Sequence, residues 1–505
     1  MSSAPRTLTL HPQDNIAIAL ADIAVGDVHG AVKVRQPVAR GHKFATIPIA
    51  NGQNVLRYGQ IIGQATTDIA AGDHVHGHNL GMGAHGQDYA HASEATPLNS
   101  TAQTRTFDGY HRADGRVGTR NYLGILTSVN CSGSVAKFIA EAAEKSGFLD
   151  NFPNIDGIVP ITHGTGCGMS GENEGYETLF RTLAGYAQHP NFGGILLIGL
   201  GCEVMQVADL VGGRPIRSDG ALRYMTIQAE GGTRKTIAKG LTELHGIAEL
   251  ANTATRKPAP ISHLMVGMQC GGSDGYSGIT ANPALGVASD MLVGHGGTTI
   301  LSETSEIYGA EHLLTRRATS IEVGEKLIDR VRWWEDYTAR NKGEMDNNPS
   351  PGNKRGGLTT ILEKSLGAVA KSGNAPLTDV YLFGEKIDKS GFVFMDSPGF
   401  DPCSVTGQIA SGANLIVFTT GRGSVSGYMP TPSIKVATNS EMYARMADDM
   451  DVNCGDIITD GVSLADKGAE MFEMFIAVAS GAQTKSEELG FGGVEFVPWQ
   501  IGAVM

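Results

Sequence analysis

The sequence lacks the features that mark several large classes of protein. In its 505 residues no apolar stretch approaches the roughly 18 residues that a transmembrane helix needs, so no membrane partner is expected. The N-terminal segment has no apolar core of the kind found in signal peptides, which predicts a cytoplasmic location. No Lys/Arg run is present, and 52 acidic residues outnumber 39 basic ones. Nucleic acid is therefore not an expected partner either.

Several short motifs are also missing. No CxxC pair occurs, which disfavours a zinc ribbon or a thioredoxin-type pair. No GK[ST] follows a glycine-rich turn, and the GLGCE segment lacks a third glycine that would open a helix, so nucleotide binding is disfavoured. The chain has only six cysteines, and in a cytoplasmic protein thiols, metal ligands or core residues are expected in preference to disulfides.

Glycine is abundant by contrast, with 68 residues in the chain. The glycines lack a Gly-X-Y period and stand beside short apolar runs, where turns and close backbone approaches need them. Charged residues make up 18% of the chain and hydrophobic residues 41%, which is typical of a packed globular protein. A chain of this length is expected to form about three domains, at roughly 100–200 residues each.

Changes in sequence texture predict three domains and two linkers. Residues 1–82 are short β-branched or alternating segments separated by turns, which indicates a small all-β domain. Residues 83–106 lack a hydrophobic period and are predicted to be a linker. In residues 107–250 and 261–505, continuous apolar runs alternate with helical patterns, as in α/β domains with mostly parallel sheets. The segment 251–260 is predicted to link them.

Four of the six cysteines share one setting in this predicted fold. Each stands at or just after the carboxyl end of a predicted strand, beside glycine or a small polar residue: Cys131, Cys167, Cys202 and Cys270. Open α/β sheets bind ligands at this edge, so the four thiols are predicted to meet at one site. Thiolates from separate loops suit iron, alone or in an iron–sulfur cluster. The alternative is that each cysteine packs in the core as a small apolar side chain. Cys403 and Cys454, which lack the strand-end setting, are predicted to be structural in this way.

Histidines offer candidate proton-transfer groups or ligands. The DHVHGHN segment carries His74, His76 and His78, and alternate residues of a strand share one face. The alternative is a solvated end of the β domain. His163 stands four residues before Cys167, so it either shares the cysteine site or bonds within its own turn.

Three glycine-rich polar turns are candidate binding sites for a carboxylate. The first is CGGSDGYSG, which contains Gly272, Ser273 and Asp274, and successive backbone N–H groups in such a turn can bind an anion. The others are NPSPGNKRGG, with Asn353 and Lys354, and TTGRG, with Arg422. An arginine can bind a carboxylate through two hydrogen bonds. Simple connection geometry is the alternative for each turn.

Taken together, these segments resemble the altronate/galactarate dehydratase family of sugar-acid hydro-lyases over nearly the whole chain. In the β domain the resemblance rests on HPQDNIAIALADI, ARGHKFA, RYGQIIG and DIAAGDHVHGHN, and it implies a SAF-type module. It continues through RADGRVGTRNYLGI, HGTGCG, HPNFGGILLIGLGCE and QCGGSDGYSGITANPALG. It ends with NPSPGNKRGG, EKSLGAVAKSG, FTTGRG and IKVATNSE.

The resemblance implies metal-assisted dehydration of a sugar acid. The HVHGHN and GHKFA segments look more like the altronate members of the family, which implies conversion of D-altronate to 2-dehydro-3-deoxy-D-gluconate. The alternatives are a galactarate dehydratase that gives 5-dehydro-4-deoxy-D-glucarate and a non-catalytic sugar-acid binding protein. The family is iron-dependent and sometimes accepts manganese, so Fe²⁺ or Mn²⁺ is the expected cofactor, with an iron–sulfur cluster as a further alternative. Self-association is left open.

The predicted site combines these observations with the resemblance. The predicted metal ligands are Cys131, Cys167, Cys202, Cys270 and His78. The predicted catalytic residues are His163, His76 and Lys43. The predicted substrate-binding residues are Gly272, Ser273, Asp274, Asn353, Lys354 and Arg422.

Overall fold

A computed structural model describes residues 6–83, 86–98, 104–212, 217, 219–502 and 504 of the chain. Residues 84–85 and 99–103, which belong to the predicted 83–106 linker, lie outside this described part. No helix within it is long and apolar enough to cross a membrane.

The N-terminal region is an all-β domain of short antiparallel strands, as its sequence texture predicts. Its strands are β1 Thr7–Leu8, β2 Ile16–Ala19, β3 Val28–His29, β4 Val32–Lys33, β5 Lys43–Ala45, β6 Asn54–Arg57, β7 Gln60–Ala65, β8 His74–Val75 and β9 Leu80–Gly81. They form the sheets β1-β2-β5-β8 and β6-β7-β9 and the hairpin β3-β4.

Alternation along β2 explains how this domain attaches to the rest of the chain. Ala17 and Ala19 pack into a small core within the β domain, together with Phe44. Ile16 and Ile18 point to the opposite face and join the large core of the C-terminal domain. The β domain therefore shares buried apolar surface with the C-terminal domain and is firmly packed against it.

The second region is an α/β domain built on a four-stranded parallel sheet. The strands of this domain are β10 Thr106–His111, β11 Val117–Gly118, β12 Tyr122–Thr127, β13 Gly157–Ile161, β14 Phe192–Gly199 and β15 Leu222–Thr226, and the last four form the parallel sheet. Its helices are α1 Gly133–Lys145, α2 Glu174–Gln188, α3 Val207–Gly212 and α4 Thr233–Ala251. The parallel sheet has the order β13-β12-β14-β15. Leu123 and Ile125 of β12 face one core, and Tyr122 and Leu126 face the other, so both faces are covered.

The C-terminal region is a larger α/β domain with a seven-stranded, all-parallel sheet. Its strands are β17 Met265–Cys270, β18 Thr298–Leu301, β19 Leu377–Tyr381, β20 Gly391–Met395, β21 Leu415–Thr420, β22 Ser433–Ala437 and β23 Val452–Asn453, in the order β19-β20-β18-β17-β21-β22-β23. Its helices are α5 Ala281–Gly294, α6 His312–Thr315, α7 Ile321–Arg340, α8 Pro351–Arg355, α9 Ile361–Val369, α10 Asp401–Ser411, α11 Ser440–Arg445, α12 Asp456–Thr459, α13 Leu464–Ala479 and α14 Lys485–Glu488. The fold class expected from the sequence, a small all-β domain followed by two mostly parallel α/β domains, is confirmed.

The segment 251–260 contributes to the packing between the two α/β domains. It begins at the last residue of α4 and ends in a strand, β16, at Arg256–Pro260. This strand pairs antiparallel with β10 and completes a three-stranded sheet with β11. Arg256 then donates hydrogen bonds to the carbonyl oxygens of Thr119 and Ala479, one in each domain.

Candidate active site

A group of three ligating side chains lies at the carboxyl edge of the C-terminal sheet. Strand β17 ends at Cys270, and the adjacent parallel strand β18 ends at Leu301, just before Glu303 and Glu306. The sulfur and carboxylate oxygen atoms of Cys270, Glu303 and Glu306 all lie within 4.8 Å of one another, and all three residues are buried. It is the one group of three such His, Cys, Asp or Glu atoms among the described residues. This edge of a parallel sheet is where ligands bind.

Glu303 has the features of a residue that holds a cation. Its backbone adopts φ 71°, a left-handed conformation that costs a non-glycine residue roughly 1–3 kcal/mol. Both of its carboxylate oxygens are buried without a hydrogen-bond partner among the described residues. Burial raises the pKa of Glu303 well above its usual value, and the nearby Glu306 adds to this shift. A bound divalent cation would satisfy both oxygens, and a mixed thiolate and carboxylate set suits a transition metal.

Glu306 and Cys270 are surrounded by cationic and polar groups. Lys364 donates a hydrogen bond to Glu306 Oε1 at 2.6 Å, and Asn348 donates another at 2.8 Å. Burial alone would lower the pKa of Lys364, but Glu306 outweighs it, so this pKa is raised and the amine is charged. Cys270 Sγ lies 3.6 Å from Glu306 Oε2 and also receives a hydrogen bond from Lys371. Burial raises the pKa of Cys270 to about 12, so without a metal it is a neutral thiol.

Asp401, the first residue of α10, adds a proton-exchanging group at the same edge. Its Oδ1 accepts a hydrogen bond from Gln269 Nε2 at 3.0 Å. Burial, and then the negative charge of Glu306, raise the pKa of Asp401 to about 6. A carboxyl group with a pKa near neutrality can both accept and donate a proton during a reaction.

Of these groups, Cys270, Glu306, Lys364 and Asp401 open onto a cavity of about 460 Å³. This volume lies within the roughly 300–1,000 Å³ of typical small-molecule sites. The titratable or amide side chains that line it include Cys270, Glu306, Asp401, Lys364, Asn348 and Asn353, together with Glu344 and Asn347. A cavity with this lining suits a small polar molecule that carries oxygen atoms along its length.

The residues predicted to bind substrate divide into two groups. Gly272, with φ +61°, lines the cavity, and its carbonyl oxygen accepts hydrogen bonds from the backbone of Arg422 and Gly421. Asn353 also lines the cavity and donates a hydrogen bond to the Ser273 carbonyl oxygen at 2.8 Å. The predicted turns around these residues therefore do meet at the cavity wall.

The other predicted substrate contacts lie elsewhere. The Asp274 carboxylate is buried and accepts hydrogen bonds from the hydroxyl groups of Thr438 and Ser277, so it connects loops and does not face the cavity. Lys354 and Arg422 are exposed, and neither lines the cavity. The Arg422 guanidinium makes no ion pair within the described part of the chain.

Four histidine rings of the β domain form a cluster at its junction with the C-terminal domain. His74 lies in β8, and His76 and His78 follow it in a turn, so the predicted histidine strand is short. The ring of His74 nevertheless lies 5.2–5.6 Å from those of His42, His76 and His78. His42, His74, His76 and His78 together form the histidine cluster.

Hydrogen bonds tie the histidine cluster to the end of helix α8. His42 Nε2 donates to the Arg355 carbonyl oxygen at 3.2 Å, so the neutral ring accepts at Nδ1, where His74 Nε2 donates at 3.0 Å. His76 Nε2 donates to the Lys354 carbonyl oxygen at 2.9 Å. The cavity residue Asn353 is the middle residue of the same five-residue helix, and none of the four histidines lines the cavity. The histidines therefore pack behind the cavity wall, and this position does not support the catalytic role predicted for His76 or the metal-binding role predicted for His78.

Lys43 has a structural position that the sequence did not predict. Its amine is fully buried and donates hydrogen bonds at 2.9 Å to Glu363 Oε2 and to the Gly357 carbonyl oxygen. The other oxygen of Glu363 pairs with Arg57, which is also buried. Both cations belong to the β domain and Glu363 to helix α9. The triad of Lys43, Arg57 and Glu363 thus fixes one domain to the other. The Lys43 amine, predicted to be catalytic, is held in this structural contact.

The first three strand-end cysteines are separate from Cys270. Cys131, Cys167 and Cys202 follow β12, β13 and β14 of the second domain and are exposed, whereas Cys270 is buried at the edge of the C-terminal sheet. None of the three lines the cavity that Cys270 lines. The structure therefore does not support the predicted four-cysteine site, because these strand ends belong to two different sheets.

His163 bonds within its own turn. Its Nδ1 accepts from the Thr165 backbone N–H at 3.3 Å, and its Nε2 donates to the Thr127 carbonyl oxygen at 3.0 Å. Burial lowers the pKa of His163 to about 4. With both nitrogens engaged and the ring neutral, the residue shapes the turn, and the predicted acid–base role is not supported.

The architecture combines three domains with a cavity of the kind found in enzymes, at the edge of a parallel sheet. Models of known protein families match the same three domains. The altronate/galactarate dehydratase SAF domain matches residues 5–83, the second domain of D-galactarate dehydratase/altronate hydrolase matches residues 109–252, and the C-terminal domain of D-galactarate/altronate dehydratase matches residues 261–504. The chain belongs to the D-galactarate/altronate dehydratase family, which confirms the resemblance seen in the sequence.

Individual relatives align along almost the whole chain. An altronate dehydratase of Escherichia coli (strain K12) is 37% identical over 491 residues, which cover 96% of this chain and 97% of the relative. An altronate dehydratase of Bacillus subtilis (strain 168) is 35% identical over 490 residues, with the same coverage of both chains. A galactarate dehydratase (L-threo-forming) of Escherichia coli (strain K12) is 36% identical over 506 residues, or 96% of this chain and 94% of the relative.

The histidine cluster predicts a loss of stability in mild acid. Burial, then the neighbouring His42, His76 and His78, lower the pKa of His74 from 6.5 to about 3. A base whose folded-state pKa is lowered stabilises the protein above its unfolded-state pKa, and this contribution is lost as pH falls. We expect the free energy of unfolding to decrease as pH falls below about 6.5, and to decrease less steeply in His74→Gln.

Chemical unfolding at a series of pH values measures this slope. His245→Gln is the matched control, because His245 is an exposed histidine of helix α4 and its ring contacts lie within the second domain. Equal slopes for wild type and His74→Gln would contradict the prediction.

Proposed function

We propose that this protein is a hydro-lyase that converts D-altronate to 2-dehydro-3-deoxy-D-gluconate and water. The observation that carries the choice of substrate is that two relatives named altronate dehydratases each align over 96% of this chain. The HVHGHN and GHKFA segments favour the same substrate. Galactarate is the alternative, since a galactarate dehydratase is similar to this chain to nearly the same degree.

The reaction removes a proton from C2 and the hydroxyl group from C3. The resulting enol takes up a proton at C3 as it becomes the 2-oxo acid, so one water leaves in total. The C2 proton is weakly acidic because it stands beside a carboxylate, and its removal places a second negative charge on that end of the substrate. Enzymes stabilise such charge with fixed cations and dipoles in a water-poor site.

Cys270, Glu303 and Glu306 are the residues that would hold the metal ion, which we propose is Fe²⁺ or Mn²⁺. The carboxylate of Glu303, which has no hydrogen-bond partner among the described residues, and the mixed thiol and carboxylate donors fit a divalent transition metal. When bound, such an ion supplies a Lewis acid beside the substrate carboxylate. Of the four predicted cysteine ligands, only Cys270 belongs to this group.

The chain's own cavity residues supply binding and proton transfer. Lys364 contributes a buried positive charge, and its hydrogen bonds to Glu306 and Asn348 keep it at the cavity wall. Asp401, with a pKa of about 6, can protonate the leaving hydroxide or accept the C2 proton. Gly272 and Asn353 line the cavity wall beside which the polyhydroxy chain would lie, and binding by Lys354 and Arg422 stays a prediction.

A substrate panel tests the proposal. The protein, purified anaerobically with Fe²⁺, is incubated with altronate, galactarate and related sugar acids, and the 2-oxo product is measured as its semicarbazone. We expect product from altronate at a higher kcat/KM than from galactarate, and no product from protein treated with a chelator. Product from galactarate alone would overturn the substrate assignment. Calorimetric binding of a sugar acid without any product would overturn the enzyme assignment in favour of a binding protein.

A further inference from the structure

Three exposed cysteines of the second domain remain outside the cavity and its chemistry. They stand on the loops that follow three neighbouring strands, in the spatial order β13, β12 and β14. Cys167 follows β13, Cys131 follows β12 and Cys202 follows β14. Neighbouring strands are spaced by about 4.8 Å, so three adjacent strand ends span roughly 10 Å.

The three loops contact one another pairwise. The Asn130 backbone N–H donates to the Thr165 carbonyl oxygen at 3.0 Å, which joins the Cys131 loop to the Cys167 loop. The Met205 N–H donates to the Gly166 carbonyl oxygen at 3.0 Å, which joins the Cys167 loop to the Cys202 loop. The Ser128 hydroxyl donates to Glu203 Oε1 at 2.7 Å and closes the third side. All three cysteines therefore stand on one connected platform.

Glycine makes this close approach of the loops feasible. Gly166 has φ +98°, and a Cβ atom at that position would collide with the backbone of Ser128 and Val129. Gly201, next to Cys202, has φ +125°, which also favours glycine. The backbone around two of the three cysteines is therefore shaped so that the loops can meet.

Packing does not account for these thiols. Buried cysteines act as small apolar residues, and Cys403 and Cys454 are of this kind. Cys131, Cys167 and Cys202 are instead exposed and form no disulfide. Within the described residues, their side-chain hydrogen bonding is limited to a 3.4 Å contact from Gln228 Nε2 to Cys202 Sγ. Exposed, unpaired thiols at three adjacent strand ends suggest a ligand that all three share.

The three sulfur atoms are not placed to share a single metal ion. A single tetrahedral ion with bonds to sulfur of about 2.3 Å would hold its sulfur ligands about 4 Å apart. The three sulfur atoms do not all lie within 4.8 Å of one another, since that condition is met only by the Cys270 group among the described residues. Iron–sulfur clusters are wider, and they are bound by cysteine thiolates that stand on separate loops as well as in CxxC pairs.

We propose that Cys131, Cys167 and Cys202 bind an iron–sulfur cluster at the carboxyl edge of the second domain, separate from the cavity of the C-terminal domain. Each exposed thiol releases its proton to solvent as its sulfur bonds to an iron atom of the cluster. With three protein ligands, a four-iron cluster has one iron without a cysteine. The proposal is independent of which sugar acid the cavity binds, and it concerns a different cofactor site from Cys270, Glu303 and Glu306.

Anaerobic reconstitution of the full-length protein with iron salts, dithiothreitol and sulfide tests the proposal. The measurements are protein-bound iron, acid-labile sulfide and the visible absorption that dithionite bleaches. We expect the wild type to retain acid-labile sulfide after desalting, and Cys131→Ser, Cys167→Ser and Cys202→Ser each to lose most of it. All three positions are exposed, so serine is expected to leave the circular dichroism spectrum unchanged.

Cys270→Ser is the control, because it alters the other metal group and is expected to keep the sulfide. If Cys270→Ser lost dehydration activity but kept its full sulfide content, the metal group at Cys270 and the proposed cluster would be shown to act independently. A failure of one proposal could then be told from a failure of the other. A reconstituted wild type without acid-labile sulfide would overturn the cluster, as would full retention of sulfide in Cys131→Ser. Zinc bound without sulfide, or a disulfide revealed by thiol titration, would overturn it as well.

Discussion

Replacing Glu303 by glutamine is expected to abolish tight metal binding and dehydration while leaving the fold intact. Even the outer partners of metal ligands are worth about 10–100-fold in metal affinity, so the loss of a direct ligand is expected to weaken Fe²⁺ binding by at least about 100-fold. Activity at limiting metal should fall by a similar factor. The measurements are the dissociation constant for Fe²⁺ under anaerobic conditions and kcat at saturating altronate.

Glu303→Gln distinguishes a metal-binding role of Glu303 from a structural role. The carboxylate oxygens of Glu303 have no hydrogen-bond partner among the described residues, so glutamine breaks no contact there. Burial raises the pKa of Glu303 well above its usual value, which favours the neutral acid in the metal-free protein, and this acid has nearly the same shape as glutamine. The free energy of unfolding of the metal-free protein should therefore stay the same.

Glu344→Gln is the matched control for this experiment. Glu344 is an exposed glutamate that lines the same cavity, and it lies outside the group with Cys270 and Glu306. It should keep wild-type metal affinity. Equal Fe²⁺ affinity of Glu303→Gln and wild type would remove Glu303 from the metal site. A large loss of stability without metal would mean that its role is structural.

The sequence predicts the strands of both α/β domains well, for a physical reason. Strands buried on both faces are nearly continuous apolar runs, and Tyr122–Thr127, Phe192–Gly199 and Met265–Cys270 all fit this description. Polar residues that follow such runs are expected at the ligand-binding edge. This reasoning located Cys270 and the turn at Gly272 next to the cavity.

The same reasoning could not decide which strand ends face one another. Strand β17 pairs with β21, which begins 145 residues after the end of β17, and not with a strand of the second domain. An apolar run carries no information about which partner it joins. The sequence therefore combined Cys270 with the other cysteines in one predicted site, since strand ends of two sheets look alike in sequence.

Glu303 and Glu306 were missed although the signal was present. They follow the apolar run Thr298–Leu301 in the same way that the cysteines follow theirs. Carboxylates after a strand are usually solvated, and only the tertiary structure buries this pair next to Cys270. Lys43 illustrates the converse error. A lysine beside histidines suggests catalysis, and its burial depends on Glu363, which lies 320 residues further along the chain.

Replacing Glu363 by glutamine is expected to have the largest effect on stability. Its carboxylate is fully buried between Lys43 and Arg57 and also accepts two hydrogen bonds from Thr359. Removing one partner of a buried ion pair typically costs about 3–5 kcal/mol, because the remaining charges stay buried without compensation. We expect the β domain to separate from the C-terminal domain at lower urea concentration in this variant, with limited proteolysis near residue 83 as a second measurement.

The pH dependence of stability tests the same interaction of Glu363 independently. Burial alone would raise the pKa of Glu363, but Lys43 and Arg57 outweigh it and lower the pKa from 4.5 to about 2. An acid whose folded-state pKa is lowered stabilises the protein above its unfolded-state pKa, and this contribution disappears as pH falls toward the folded-state value. The wild type should therefore lose stability between about pH 4.5 and pH 2, and Glu363→Gln should lack this part of the slope.

An exposed ion pair at the same junction provides the control. Arg40 of the β domain pairs with Glu441 of helix α11, and their side chains are 38% and 64% exposed. Exposed pairs are worth about 0–1 kcal/mol, since water and salt screen them, so Glu441→Gln should unfold almost as the wild type does. If both variants lost equally little stability, the buried triad would not be what fixes the β domain, and the shared apolar core around Ile16 and Ile18 would account for the docking alone.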